Sequence, residues 1–303
     1  MPARQPFTAL CQAIHRPRTS GRADLHIHTT FSDGTYTPAQ VVELARRSGL
    51  AALAITDHDT LDGIAPTRDA AFGSGLNVIA GVEITTEFLN KELHLLAYFV
   101  PLDDADLNAA LKRLRDHRTE RFWDMVERLR GCGVSFAEEE LRAQAGSGAL
   151  GRRHLAELLV RSRRAGTVRE AFQRYLGDSG RIVVPKLRLP VEKALALVGR
   201  AGGVASWAHP SYDCTRETLT TLRRGGLDAI EANYPGFRPS RVRELRTMAA
   251  ELGLAVTAGS DCHGPGHPSR AVGACTLTVE EFAGLMEVKE KNGIANCKLQ
   301  IAN

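Results

Sequence analysis

The chain lacks three features that would settle its class at once. Its six cysteines (Cys11, Cys132, Cys214, Cys262, Cys275 and Cys297) are scattered and none forms a CxxC pair, so reduced thiols in a cytoplasmic protein are the simplest expectation. No apolar run approaches the roughly 18 to 20 residues needed to span a bilayer, and the start lacks the long apolar core of a secretory signal. There is no internal repeat or low-complexity stretch. With 43% apolar and 24% charged residues among 303, a disordered, collagen-like or coiled-coil chain is excluded. The length fits one large α/β barrel or two ordinary domains.

What is present is an uneven distribution of charge. The formal net charge is +4. Residues 1–22 carry Arg4, Arg16, Arg18 and Arg22 and no acid; this stretch reads as a flexible extension. Between Arg142 and Arg188 eleven basic residues face only Glu157, Glu170 and Asp178, a block of +8 that leaves the remainder at −8. Such a block either meets an anionic partner or is the solvated surface of Arg-rich helices.

From Ala23 onward short apolar strands alternate with helical patterns. Strands are expected at 23–30, 50–56, 77–84, 93–100, 203–207, 227–233, 254–259 and 271–277. Thr37-Pro38 starts a helix with an N-cap and a proline at the first position. Residues 101–189 break the rhythm with mostly helical patterns at 107–130, 137–144, 153–164 and 168–176, the first carrying Phe122, Trp123, Val126 and Leu129 at core-like spacing. Helices at 191–200, 216–224 and 240–252 and one from Val279 complete the pattern. About seven strands with helical crossovers predict an α/β fold, a (β/α) barrel interrupted by a helical insertion. The expected organisation is an extension at 1–22, the barrel at 23–100 plus 190–285, the insertion at 101–189 and a tail at 286–303.

The chemistry lies at strand ends. In Asp24-Leu25-His26-Ile27-His28 the two imidazoles project from one face, a spacing suited to one metal. Later strands carry Thr56-Asp57-His58-Asp59, Gly81-Val82-Glu83, Glu92-Leu93-His94, Trp207-Ala208-His209-Pro210 and Ser260-Asp261-Cys262-His263. Six of ten histidines therefore fall in or at the ends of otherwise apolar strands, where burying each one separately would be costly and where barrels gather functional groups. Asp57 and Asp59 alternate away from His58 and read as supporting residues, and Cys262 as packing. His15 and His117 read as surface residues.

The set LHIHTTFSDG, ITDHD, GVEI, ELHLLAYF, SWAHP and GSDCHG resembles the PHP family, the polymerase and histidinol phosphatase metallohydrolases, over about residues 23–280. The resemblance implies a distorted seven-stranded TIM-like barrel with two or three divalent ions. By position, His26, His28, Glu83 and Asp261 would hold one ion, Glu83 would bridge to a second held by His94 and His209, and Asp33, His58 and His263 would hold the third. Manganese is favoured over iron or zinc, although such mixed donors suit all three. The insertion, with Gly151-Arg152-Arg153-His154 and Ala171-Phe172-Gln173-Arg174-Tyr175-Leu176, resembles the nucleotide-phosphatase and short-RNA exonuclease branch.

The function implied is hydrolysis of a phosphate monoester of a small molecule, a nucleoside 3',5'-bisphosphate or a short oligonucleotide end, by metal-activated hydroxide. Glu83, Asp261 and His154 are the catalytic candidates, His154 as a proton donor, with Arg152, His154 and His267 on the substrate. No cation closely follows His209-Pro210; Lys186 or Arg216 could replace it. A histidinol-phosphate-like phosphatase, an amidohydrolase-type C–N hydrolase or deaminase and a non-catalytic barrel are the rival readings. The extra ligands Asp33 and His263 argue against the amidohydrolase type. No dedicated duplex nucleic-acid module and no membrane partner are expected.

Overall fold

The computed structural model describes residues 21–145, 148–177, 180, 182–211, 214–266 and 268–301, without the side chains of 145 and 294–301. All but the last two residues of the expected extension 1–22 lie outside the described residues. The elements run β1 (Ala23–Ile27), α1 (Pro38–Arg47), β2 (Ala52–Ile55), α2 (Ile64–Ala71), β3 (Asn77–Phe88), β4 (Lys91–Tyr98), α3 (Ala105–Gly131), α4 (Glu138–Ala145), α5 (Arg152–Arg161) and α6 (Val168–Ala171). A π turn at Phe172–Leu176 follows, then β5 (Leu189–Pro190), α7 (Val191–Arg200), β6 (Val204–Trp207), α8 (Arg216–Arg224), β7 (Ala229–Asn233), α9 (Pro239–Leu252), β8 (Ala255–Ala258) and α10 (Val279–Ile301). Thr37 caps α1 as its sequence predicts, accepting from the Gln40 amide while Gln40 accepts from the Thr37 amide.

Seven strands form a distorted, nearly closed barrel in the order β1-β2-β3-β4-β6-β7-β8, with β5 paired to β3. All neighbouring pairs in this order are parallel except those made by β4, which is antiparallel to β3 and β6. β3 and β4 are joined as a hairpin. Its two loop residues, Leu89 and Asn90, have φ of 50° and 62°, the left-handed pair that a two-residue turn between twisted strands requires. Because β4 runs backwards, His94 in its first half lies at the same pole as the ends of the other strands.

Strand alternation sorts the side chains into layers. Leu53, Ile55, Val82, Ile84, Leu95 and Ile230 face the surrounding helices in one buried cluster. The opposite faces of these strands carry Ala52, Ala54, Ile79, Leu96, Tyr98, Val204 and Ala229 in another, and further along those faces the residues turn polar at Glu83, His94 and Glu231. The barrel closes where β8 returns to β1: the Asp261 amide donates to the His26 carbonyl at 2.8 Å and the His28 amide to the Cys262 carbonyl at 3.0 Å. Glycine is required at 259, since a Cβ there would lie 2.2 Å from the His26 Cβ.

Three expectations are corrected. Residues 271–277 form no strand; only Leu277 pairs, exchanging two backbone hydrogen bonds with Ala23. Gly273, at φ 83°, turns its amide onto the Asp24 carboxylate instead. Helix α2 went unread because its N-cap Gly63 makes no side-chain cap and Pro66 stands in its first turn. The boundary drawn at 286 falls inside α10, which continues to Ile301.

The insertion has its own apolar core of Phe122, Met125, Leu129, Leu155, Leu158 and Tyr175, among others. Trp123 is 37% exposed, because one helical step of about 100° turns it off the stripe that buries Phe122. Among the described residues no helix is long and apolar enough to cross a membrane.

Candidate metal centre

All nine residues expected to bind metal converge at one pole of the barrel. Glu83 stands at their centre. Its Oε2 lies 3.3 Å from His26 Nε2, 3.1 Å from His28 Nε2 and 3.3 Å from His58 Nδ1, and its Oε1 lies 2.7 Å from His94 Nδ1 and 3.0 Å from His209 Nε2. Asp261 Oδ1 lies 3.5 Å from His26 Nε2, 3.2 Å from His28 Nε2 and 3.4 Å from His263 Nδ1. Asp33 Oδ1 lies 3.2 Å from His263 Nε2 and 3.9 Å from both His28 Nδ1 and His58 Nε2.

Outer partners fix which nitrogen each ring presents, a task carboxylates and carbonyls perform around metal-ligating histidines. His26 donates from Nδ1 to Glu231 at 3.0 Å, His94 from Nε2 to Glu92 at 2.7 Å and His263 from Nδ1 to the Asp261 carbonyl at 3.0 Å. The other nitrogen of His26 and His94 is thereby turned to Glu83, and that of His263 to Asp33. Asp57 accepts from the Thr29 amide and hydroxyl at 2.7 Å each and from Ser32 at 2.6 Å, which shapes the loop carrying Asp33. Asp59 accepts from the Thr85 amide at 2.7 Å and from Arg118 at 2.5 Å. Both aspartates thus take the supporting place that alternation assigns them. Cys262 is fully buried among apolar side chains.

Backbone strain concentrates here. Asp59, His209 and Asp261 have φ of 54°, 30° and 49°, conformations that cost on the order of 1–3 kcal/mol each. They are held by local bonds: the His209 amide donates to Glu231 at 2.6 Å and the Asp59 amide to the Glu83 carbonyl at 3.0 Å.

The electrostatics favour cation binding. Burial alone would raise Glu83, but His58, His94, His26 and a hydrogen bond from His209 hold its carboxyl well below the usual range. Asp33 and Asp261 are likewise buried yet held low by His263 and His58 and by His26 and His263. Burial would depress His28, but hydrogen bonds to Asp261 and Glu83 outweigh it and push its pKa up to about 10. His58 goes the other way, driven well below its ordinary value by burial. Asp33 Oδ1 and His58 Nδ1 are buried without a hydrogen-bond partner, a deficit of about 1–3 kcal/mol per group unless a ligand meets it. Three compact donor groups arise: His28, Asp33, His58 and His263; His26, His28 and Glu83; and His58, Glu83 and His94. Mixed imidazole and carboxylate donors with unmet lone pairs fit divalent ions.

The substrate residues fare differently. His154 is buried beside Asp33; its Nδ1 accepts from the Gly151 amide at 3.0 Å, and burial lowers its pKa. With Nδ1 as acceptor, the neutral ring carries its proton on Nε2. Arg152 turns into the insertion, donating to the Leu176 carbonyl at 3.3 Å and standing 5.8 Å over Phe172. His267 lies outside the described residues. Arg216 pairs with Glu251 on the outer surface. Lys186 does reach the centre, donating to Glu92 at 2.7 Å; burial and the nearby Arg118 lower its pKa to about 8. His117 is half-buried, accepting from the Leu187 amide at 3.4 Å.

Four residues were missed. Glu231 interrupts the buried run Ala229-Ile230-Glu231-Ala232, and Arg118 sits in the apolar stripe Leu107, Leu111, Leu114, Phe122 of α3; a charge at a core position is a legible signal. Tyr234, which donates to Asp261 at 2.8 Å, and Arg270, which pairs with Asp261 and donates to the Tyr234 hydroxyl at 2.6 Å, are far apart in sequence and left no such signal.

A strand barrel with a carboxylate-bridged histidine cluster at its mouth defines a metal-dependent hydrolase. The PHP-domain profile matches residues 24–141. Over 249 residues, 80% of this chain and 85% of the relative, the sequence is 34% identical to the 5'-3' exoribonuclease Rnm of Escherichia coli. It is 30% identical to a 3',5'-nucleoside bisphosphate phosphatase of Chromobacterium violaceum over 82% of this chain and 90% of that one. A crystal structure of a candidate metal-dependent phosphoesterase from Bifidobacterium adolescentis superposes with a TM-score of 0.81 at 31% identity, covering 88% of this chain and 96% of that one. The chain belongs to the PHP family. It is a metal-dependent hydrolase of phosphate esters.

Proposed function

We propose that this protein removes the terminal phosphate or nucleotide from small phosphorylated nucleic-acid fragments, a nucleoside 3',5'-bisphosphate or the end of a short oligonucleotide, with two or three divalent ions, manganese foremost. The observation that carries the reading is Glu83, one carboxylate whose two oxygens face separate histidine sets. The relatives' names supply the substrate class.

His26, His28, Glu83 and Asp261 would hold one ion, Glu83, His94 and His209 a second, and Asp33, His58 and His263 a third. When bound, such ions offset charge on phosphoryl oxygens and lower the pKa of an attacking water. Arg118, Lys186 and Arg270 surround this cluster with positive charge and would orient phosphate oxygens. Tyr234 and Arg270 hold Asp261 against its left-handed backbone, and Glu231 and Glu92 keep His26 and His94 in the ligating tautomer. The insertion closes one side through Arg118 on Asp59 and the Ala149 amide on the Phe31 carbonyl at 3.0 Å, which limits water at the rim.

The test is phosphate and nucleotide release from a nucleoside 3',5'-bisphosphate, histidinol phosphate, a short RNA and an N-acyl amide, with and without added Mn. Mn-dependent turnover of the bisphosphate or RNA is expected. Turnover of histidinol phosphate or the amide alone would overturn the substrate reading.

A further inference from the structure

Beyond the metal centre, the hairpin β3–β4 projects outward and β5 pairs with its outer part, Thr86 to Leu189 and Glu87 to Pro190. Between this edge, α3 and α7 lies a cavity of about 520 Å³. Arg113, Arg188, Lys193 and Arg200 line it, with Glu87 as its acid and Leu189 among its apolar lining. Arg188 is within 3.8 Å of Glu87 and Arg200 within 3.9 Å of Asp106. Neither Arg113 nor Lys193 has an ion pair or hydrogen-bonding side-chain partner among the described residues. The buried Nε of Arg188 has no hydrogen bond, although Glu92 is 3.4 Å away.

Arg188 and Arg200 meet Glu87, Glu92 and Asp106, which leaves the charges of Arg113 and Lys193 on the cavity wall without an acid among the described residues, so the cavity suits an anion. Its place says which. Arg188 contacts Glu92, and Glu92 contacts His94, so the cavity is coupled to the metal centre by a continuous chain. Glu83 and Glu87 lie on one face of β3, four residues apart, about 13 Å along an extended strand. A ligand with a phosphoester at Glu83 and further phosphates along a flexible backbone would meet both.

We infer that this cavity binds the downstream phosphates of a single-stranded oligonucleotide whose end occupies the metal centre. The inference rests on the phosphoesterase reading above and goes beyond it by separating oligonucleotide from mononucleotide recognition. The sugar-phosphate backbone supplies repeated charge for the cations, and the apolar lining accepts a base or sugar without sequence readout.

The experiment compares wild-type, Mn-loaded protein with R113Q/K193Q and R113E/K193E, changes to exposed cavity side chains that touch none of the proposed metal ligands. Binding of a fluorescent, phosphorothioate-linked short oligoribonucleotide is followed against salt, beside turnover of a nucleoside 3',5'-bisphosphate. The expected result is weaker oligonucleotide binding by about tenfold or more, with the salt slope reduced by about 1 for each cation removed, while bisphosphate turnover is unchanged. Wild-type affinity in both variants, or no oligonucleotide binding by the wild type, overturns the inference. Loss of bisphosphate turnover in step with oligonucleotide binding also overturns it, because the cavity would then serve the centre generally. If the wild type turns over no phosphoester, the phosphoesterase reading fails and the binding arm still decides the cavity.

Discussion

The barrel mouth and the helical insertion both carry many charges, and they use them in opposite ways. In the barrel, His26 meets Glu231 and Glu83 across 205 and 57 residues of chain, with all three side chains essentially buried. In the insertion, Arg142 pairs with Glu138, Arg153 with Glu157 and Arg174 with Glu170, each one helical turn away. The first kind of pairing creates an electrostatic site because water cannot screen it. The second is worth little, since exposed pairs are screened and entropically costly. The basic block between Arg142 and Arg188 is therefore mostly a solvated helix surface. Among its described residues, Lys186 and Arg188 are the ones that reach the centre through Glu92.

This contrast can be broken by substitution. Glu83→Gln removes the carboxylate shared by five imidazoles; turnover is expected to fall by about 10³-fold, with reduced metal content by elemental analysis and an unchanged far-UV spectrum. Full activity in this variant would dissolve the proposed centre. Arg118→Met leaves Asp59 buried without its cation and should cost about 3–5 kcal/mol in urea unfolding. A loss near zero would mean that water reaches Asp59 and that the insertion contact is loose. Glu231→Gln keeps the shape but weakens the hold on His26 and should lower metal affinity about 10- to 100-fold in a chelator competition. Arg142→Ala tests the other side of the comparison: stability should stay within about 0.5 kcal/mol of wild type, with turnover unaltered. A large effect there would show that exposed insertion charges do more than solvate a helix.

Much of the centre was legible because its residues violate local pattern. Histidines at alternate positions of apolar strands, and acids such as Glu83 and Asp261 at strand ends, have no place in an ordinary core. The same logic applied to Arg118 and Glu231 would have found them, since each interrupts a buried stripe. The directions of Arg152 and His154 were not legible, because the motif places them beside the site while the fold decides where they point: Arg152 meets Phe172 and the Leu176 carbonyl, and His154 accepts from the Gly151 amide.

Sequence alone determined the strand alternation that separates apolar from polar faces, the capping of α1 and which histidines and acids interrupt the apolar strands, because these depend on side-chain type and short-range period. Only tertiary structure decided that β4 runs backwards so that His94 joins the others, that residues 271–277 are no strand, and that Tyr234 and Arg270 meet on Asp261. Those outcomes depend on long-range closure, where one amide can choose between a strand neighbour and a buried carboxylate. Gly273 chose Asp24.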